Sequence, residues 1–154
     1  DHVIKSFNNS GLRDKVEKKV LDDKVDILGV CAGMQILANS SDEGIEEGLG
    51  WINGIVKKFT FNKFEKKLII PHMGWNTVEV GKEKLFNGVS KNPRFYFVHS
   101  YFFENKNSEH IIGKTEYGSF FSSAIKKNNI YGVQFHPEKS HQNGQKLLSN
   151  FINL

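Results

Sequence analysis

The chain holds one cysteine, and it stands between two glycines in Gly29-Val30-Cys31-Ala32-Gly33, just after the apolar run Val25 to Val30. A strand that enters such a turn and a helix that leaves it, here over 34–38, expose a thiol on a sharp elbow. Backbone N–H groups and the positive end of a helix beside the sulfur lower a thiol pKa, so the chemistry expected here is nucleophilic attack by a thiolate. A small buried hydrophobe is the other role open to a cysteine that follows a strand. Glycine on both sides favours the elbow, because side chains there crowd a backbone that passes close to its neighbours.

A base for this thiol is found near the other end of the chain. Ile130 to Phe135 reads as an apolar strand that stops at His136-Pro137-Glu138. Proline cannot donate to a sheet ladder, so it ends the strand and leaves His136 and Glu138 on an ordered turn. A carboxylate two residues on can orient the imidazole and stabilise its protonated form, while the other ring nitrogen faces the thiol. Cys31, His136 and Glu138 then form a nucleophile, a base and an orienter. The set His136, Glu138 and His141 also has donors that suit a metal. Zinc motifs on one helix need histidines four apart, however, and Pro137 forbids a regular helix, so no metal is expected. A structural hydrogen-bonded histidine is the remaining alternative, and the presence of the elbow speaks against it.

The elements that must carry these residues follow from periodicity. Leu12, Val16 and Val20 recur every four residues with Asn9 or Ser10 as a cap, which predicts an amphipathic helix over about 11–24. A strand over 25–30, the elbow and a second helix come next. Gly44, Gly48, Gly50 and Gly54 then punctuate a segment leading into short strands near 54–61, 76–80, 94–98, 111–116, 121–126 and 130–135. A last helix over 141–152 uses Leu147, Leu148 and Phe151 as its buried side. The order predicts an α/β sheet with a β-rich extension and the reactive turn at the carboxyl end of a strand.

Composition narrows the classes. The 154 residues suffice for one compact domain. Lys plus Arg exceed Asp plus Glu by 21 to 17, and the lysines are interleaved with carboxylates, so no nucleic-acid track is expected. Apolar runs are far too short for a membrane helix, and Asp1 to Ser10 holds no apolar region of a secretory signal. A single cysteine forms no internal disulfide, and a cytoplasmic setting is expected. Phe59, Phe61 and Phe64 alternate with Lys and Asn within 57–67, which reads as a hairpin or loop and weakly as a binding surface.

With both motifs on the page, the chain resembles the class I glutamine amidotransferases, whose members carry a Gly-x-Cys-x-Gly elbow and a His-Pro-Glu turn. Gly33-Met34-Gln35, Ser41-Asp42-Glu43-Gly44, Pro71-His72-Met73-Gly74-Trp75-Asn76, His99-Ser100-Tyr101 and Gly132 to Ser140 narrow the resemblance to the glutaminase subunits of imidazole glycerol phosphate synthases. The resemblance implies a flavodoxin-like sheet, one amidotransferase domain over 1–154, and no cofactor. It also implies hydrolysis of L-glutamine to glutamate and ammonia, the ammonia passing to a (β/α)8-barrel synthase partner in a heterodimer. By motif, Cys31 attacks, His136 moves the proton, and Glu138 holds His136. Ala32 supplies an oxyanion N–H, Gln35 and Glu43 contact glutamine, and His99, Ser100 and Tyr101 line its pocket. Met73, Trp75, Asn76 and Lys139 belong to the face turned toward the synthase.

Two departures accompany the resemblance. The family has an amino-terminal portion, with the first βα units and a Pro-Gly-x-Gly loop, that this sequence does not contain. The expectation is an exposed sheet edge that invites self-association or strand exchange, and weak glutamine turnover by this chain alone. Gly48 to Ile52, Phe95 to Phe103 and Ser140 to Gly144 also look like paralogues that supply ammonia for amidination of bacterial surface sugars, so the destination of the ammonia stays open between the two pathways.

Overall fold

A computed structural model describes residues 1–60 and 68–154. The amino-terminal residues form helix α1, His2–Asn9, followed by α2, Arg13–Glu17, whose last turn widens into a π-helical turn at Lys18–Asp22. The helix predicted over 11–24 is thus present, and α1 is additional to it. Val3, Ile4 and Phe7 give α1 an apolar side, of which Ile4 is buried. Ser10 separates the two helices, its hydroxyl accepting from Leu12 N at 3.1 Å.

Strand β1, Ile27–Val30, leads through Cys31 into α3, Ala32–Gln35, which starts two residues earlier than predicted and is only four residues long. The strands that follow are β2, Ser40–Ser41, β3, Gly54–Lys58, β4, His72–Thr77, β5, Glu79–Val80, β6, Arg94–His99, β7, Tyr101–Asn105, β8, Ile111–Tyr117, β9, Ser119–Lys127, and β10, Ile130–Val133. Helix α4, His141–Ile152, closes the described chain with the predicted bounds. Strand β7 was hidden in the sequence, because only Ser100 divides it from β6. Residues 61–67 of the segment read as a hairpin or loop, including Phe61 and Phe64, lie outside the described residues. Phe59 does not form a surface: it is buried against Phe102 and Phe121.

The main sheet runs β1-β10-β9-β7-β3-β2, with β8 also on β9 and β5 on β8. Among the described residues only β1–β10 and β2–β3 are parallel pairs, so the expected α/β sheet with a β-rich extension is a mixed, curled one. The nine residues of β9 make the curl, since they pair in turn with β8, β7 and β10. Strands β4 and β6 form a separate antiparallel ribbon.

Alternation explains the burial. Phe95, Phe97 and His99 of β6 point inward at period two, and Phe95 stacks on Phe135 with centroids 4.0 Å apart. These rings pack with Phe121, Tyr131 and Leu147 of α4 in one cluster, while Met34, Leu37, Ile52, Val56, Phe103 and Ile125 form a second one around the elbow. Burying each such side chain contributes about 1.5–3 kcal/mol, which anchors β1 and β10 on either side of the elbow.

Candidate active site

The parallel register of β1 and β10 sets Gly29 beside Gly132 and Val30 beside Val133. Cys31 extends that ladder by one bond, its N–H donating to Val133 O at 2.8 Å. The chain then turns sharply: Cys31 has φ 50° and ψ −109°, a conformation costing about 1–3 kcal/mol in a residue with a side chain. Its carbonyl accepts from Met34 N and Gln35 N, so α3 starts without delay. Gly29 is required by this crossing, because a Cβ there would lie 2.5 Å from Gly33 O. Gly33 is not required in that way, since a Cβ on it would meet nothing within 4 Å among the described residues. The crowding argument from the sequence therefore holds for one glycine of the two.

The thiol points toward Val98 O at 3.9 Å and receives Nε2 of Gln134 at 3.7 Å. Its pKa is raised from 9.0, in the opposite direction to the sequence expectation. Burial is the main cause, and the charge of Glu138 adds to it. The backbone N–H of Ala32, the Gln134 amide and the Lys139 charge work the other way without overcoming it. A helix of four residues, α3, is too short to supply a large positive end.

His136 lies three residues beyond the end of β10. Its N–H donates to Tyr96 O at 2.8 Å, fixing the turn to β6, and Pro137–Lys139 forms a single 3₁₀ turn with proline first. Ser140 locks this turn by donating to His136 O at 2.5 Å and accepting from Tyr96 N at 3.0 Å. Helix α4 presses on it: a Cβ at Gly144 would sit 1.8 Å from Pro137 O. Nδ1 of His136 is 2.7 Å from Oε1 of Glu138, the pair predicted from their spacing. Nε2 is buried and has no hydrogen-bond partner among the described residues, so the ring offers a free nitrogen there. Among the described residues no three of His, Cys, Asp and Glu gather as metal ligands, and His141 instead stacks on Trp75 at 5.0 Å with the rings parallel.

A cleft of about 350 Å³ opens over the elbow, lined by Cys31, Ala32, Gln35, Glu43, His99, Ser100 and Tyr101 with Pro71 and Val98. Every residue that the resemblance assigned to glutamine thus meets at one opening. Glu43 is exposed there. Gln35 is engaged within the protein, donating from Nε2 to Tyr101 O at 3.0 Å and to Gln134 Oε1 at 3.1 Å. His99 is buried, with Nε2 2.9 Å from Nδ1 of His72 and Nδ1 2.7 Å from Tyr101 O.

The residues assigned to a partner face divide along β4. Met73 and Trp75 point outward, 61% and 38% exposed, and Lys139 lies over the Tyr96 ring next to Trp75. Asn76 turns inward, 3.2 Å from Nε2 of His72 and donating to Glu116 O at 2.9 Å. Sequence reasoning gave no role to Gln134 or His72. The signal for Gln134 was a polar residue between the apolar Val133 and Phe135, and His72 carried none, because only strand register sets it opposite His99.

Against known proteins, the family described as "Glutamine amidotransferase class-I" matches residues 5–154. The Leptospira borgpetersenii protein named "Imidazole glycerol phosphate synthase subunit HisH" is 50% identical over all of this chain and 76% of its own length. The Methanococcus maripaludis protein named "Imidazole glycerol phosphate synthase subunit HisH 2" is 49% identical over 99% of this chain and 74% of its own. A crystal structure of a glutamine amidotransferase from Thermotoga maritima shares the fold with a TM-score of 0.60 at 16% identity, covering 97% of this chain and 56% of that one.

Proposed function

The chain belongs to the class I glutamine amidotransferases, and from that premise we propose that it is the glutaminase subunit of an imidazole glycerol phosphate synthase, acting in histidine biosynthesis through Cys31, His136 and Glu138. The observation that carries this reading is the strained elbow of Cys31 opening onto a cleft, together with the His136–Glu138 pair at 2.7 Å on the turn after the neighbouring parallel strand. The relatives named as synthase subunits favour the histidine pathway over surface-sugar amidination as the destination of the ammonia.

In this mechanism the thiol proton passes from Sγ to Nε2 of His136 as the sulfur attacks the carboxamide carbon of L-glutamine. The oxyanion of the tetrahedral intermediate is held by the backbone N–H of Ala32. Glu138 stabilises the imidazolium, which then gives its proton to the leaving ammonia. Water hydrolyses the resulting thioester to glutamate and frees the thiol. Gln35, Glu43, His99, Ser100 and Tyr101 frame the substrate. A thiol whose pKa burial has raised suits a subunit whose nucleophile ionises only as its proton moves to His136.

Residues 1–154 act as one amidotransferase domain in a cytoplasmic enzyme without cofactor. No helix among the described residues is long and apolar enough to cross a membrane. The exposed Met73 and Trp75, with Lys139, dock a barrel-shaped synthase in a heterodimer. Self-association occurs through the outer edge of β1, an end strand of the sheet among the described residues. The test is ammonia release from glutamine by the protein paired with its synthase. Turnover that vanishes in Cys31→Ala supports the reading, and turnover that survives it overturns the reading.

A further inference from the structure

The bonds around Tyr101 O fix every proton in a buried network that ends at the nucleophile. That carbonyl can only accept, and it accepts from two directions: Nδ1 of His99 at 2.7 Å and Nε2 of Gln35 at 3.0 Å. On the Gln35 side, the same Nε2 also meets Oε1 of Gln134 at 3.1 Å. The Gln134 amide therefore has one permitted orientation, since turning it over would set two N–H groups against each other. Its Nε2 is left to donate to Sγ of Cys31 at 3.7 Å.

The His99 side is fixed by the same reasoning. A proton on Nδ1 leaves Nε2 of the neutral ring bare, so Nδ1 of His72 donates to it at 2.9 Å, and Nε2 of His72 accepts from Asn76 Nδ2 at 3.2 Å. Burial keeps both rings neutral, with pKa values lowered to about 4 for His72 and about 3 for His99. Asn76 is closed in turn, since it donates to Glu116 O and accepts from Thr77 N. No member of the set can reorient alone.

We infer that Gln134 is a positioning residue for the nucleophile. Its buried amide, oriented by Gln35 and the Tyr101 carbonyl, stabilises negative charge on the Cys31 sulfur and opposes the burial that keeps this thiol protonated. Gln134 is fully enclosed, so the bond to sulfur is shielded from water on that side, and its removal leaves the thiolate the backbone N–H of Ala32 as its remaining donor among the described residues. The inference rests on Cys31 as the nucleophile, but its test does not need turnover.

Cys31 is the only cysteine in the chain, so the pH profile of iodoacetamide alkylation of the full chain reads its ionisation alone. Gln134→Leu shifts the profile upward by about one pH unit, with alkylation at neutral pH falling about tenfold. Gln134→Glu keeps the acceptor for Gln35 but sets a carboxylate toward the sulfur, and shifts the profile further. A merely structural role predicts equal profiles with lowered melting temperatures. The inference is overturned if Gln134→Leu folds and its profile superimposes on that of the parent, or if Gln134→Glu shifts it no further than Gln134→Leu. Where Gln134→Leu does not fold, Gln35→Leu replaces it: a smaller upward shift supports the inference, and none overturns it. Glutamine turnover surviving in Cys31→Ala removes the glutaminase reading and leaves the alkylation result standing on its own.

Discussion

Cys31 occupies strained backbone at φ 50°, with its sulfur turned to Val98 O and the Gln134 amide, whereas His136 sits in ordinary extended backbone at φ −102° with its partner Glu138 in place. The base and its orienter are assembled in advance by a proline turn, two serine hydrogen bonds and the pressure of α4. The nucleophile is placed in advance but not ionised, because enclosure outweighs the donors around it. The difference teaches that short local motifs can build a base, while the state of a thiol depends on everything packed over it.

The comparison is broken most severely by removing its active member. Cys31→Ala should lower glutamine turnover about 10⁴-fold or more, measured as ammonia release with the synthase present, with the fold retained by circular dichroism. Next comes the elbow itself. Gly29→Ala forces a Cβ against the Gly33 carbonyl and should destabilise the protein by about 1–3 kcal/mol in urea melts, with turnover lost in parallel. The His136 side gives a smaller effect. Glu138→Gln keeps a hydrogen-bonding group beside Nδ1 but removes the charge that steadies the imidazolium, and kcat should fall about 10²-fold with KM little changed.

The elbow was legible because it needs glycine before the cysteine, and the turn because proline after histidine admits few conformations. Helix α4 was legible from Leu147 and Phe151 at helical spacing. What sequence could not carry is tertiary. The thiol is packed beside Val98 of β6 and Gln134 just past the end of β10, both far from it in the chain, so the sign of its pKa shift was read wrongly from its sequence neighbours. The pairing of His72 with His99 depends on the register of β4 against β6, and the inward turn of Asn76 on the same alternation. Helix α1 escaped notice because its apolar residues were too few to outweigh the polar ones around them.

Acidification gives a prediction that leaves the protein at neutral pH untouched, and it concerns the neutral histidines behind the cleft. Their folded pKa values of about 4 and about 3 lie below the ordinary 6.5, with burial as the main cause. The unfolded chain therefore binds protons that the folded chain refuses. Stability is full above pH 6.5 and falls as pH drops toward 4 and then 3, by about 1.4 kcal/mol per pH unit for each histidine once inside that window. Urea midpoints at pH 7 and pH 5 check the sign: equal midpoints would mean that the pair is not held neutral.

The most direct test of the central claim is mass-spectrometric mapping of the protein after treatment with a glutamine-analogue electrophile, with and without glutamine. The account predicts a single adduct on Cys31 that glutamine suppresses and that His136→Ala slows. An adduct on any other residue, or one on Cys31 that glutamine does not suppress, would contradict it.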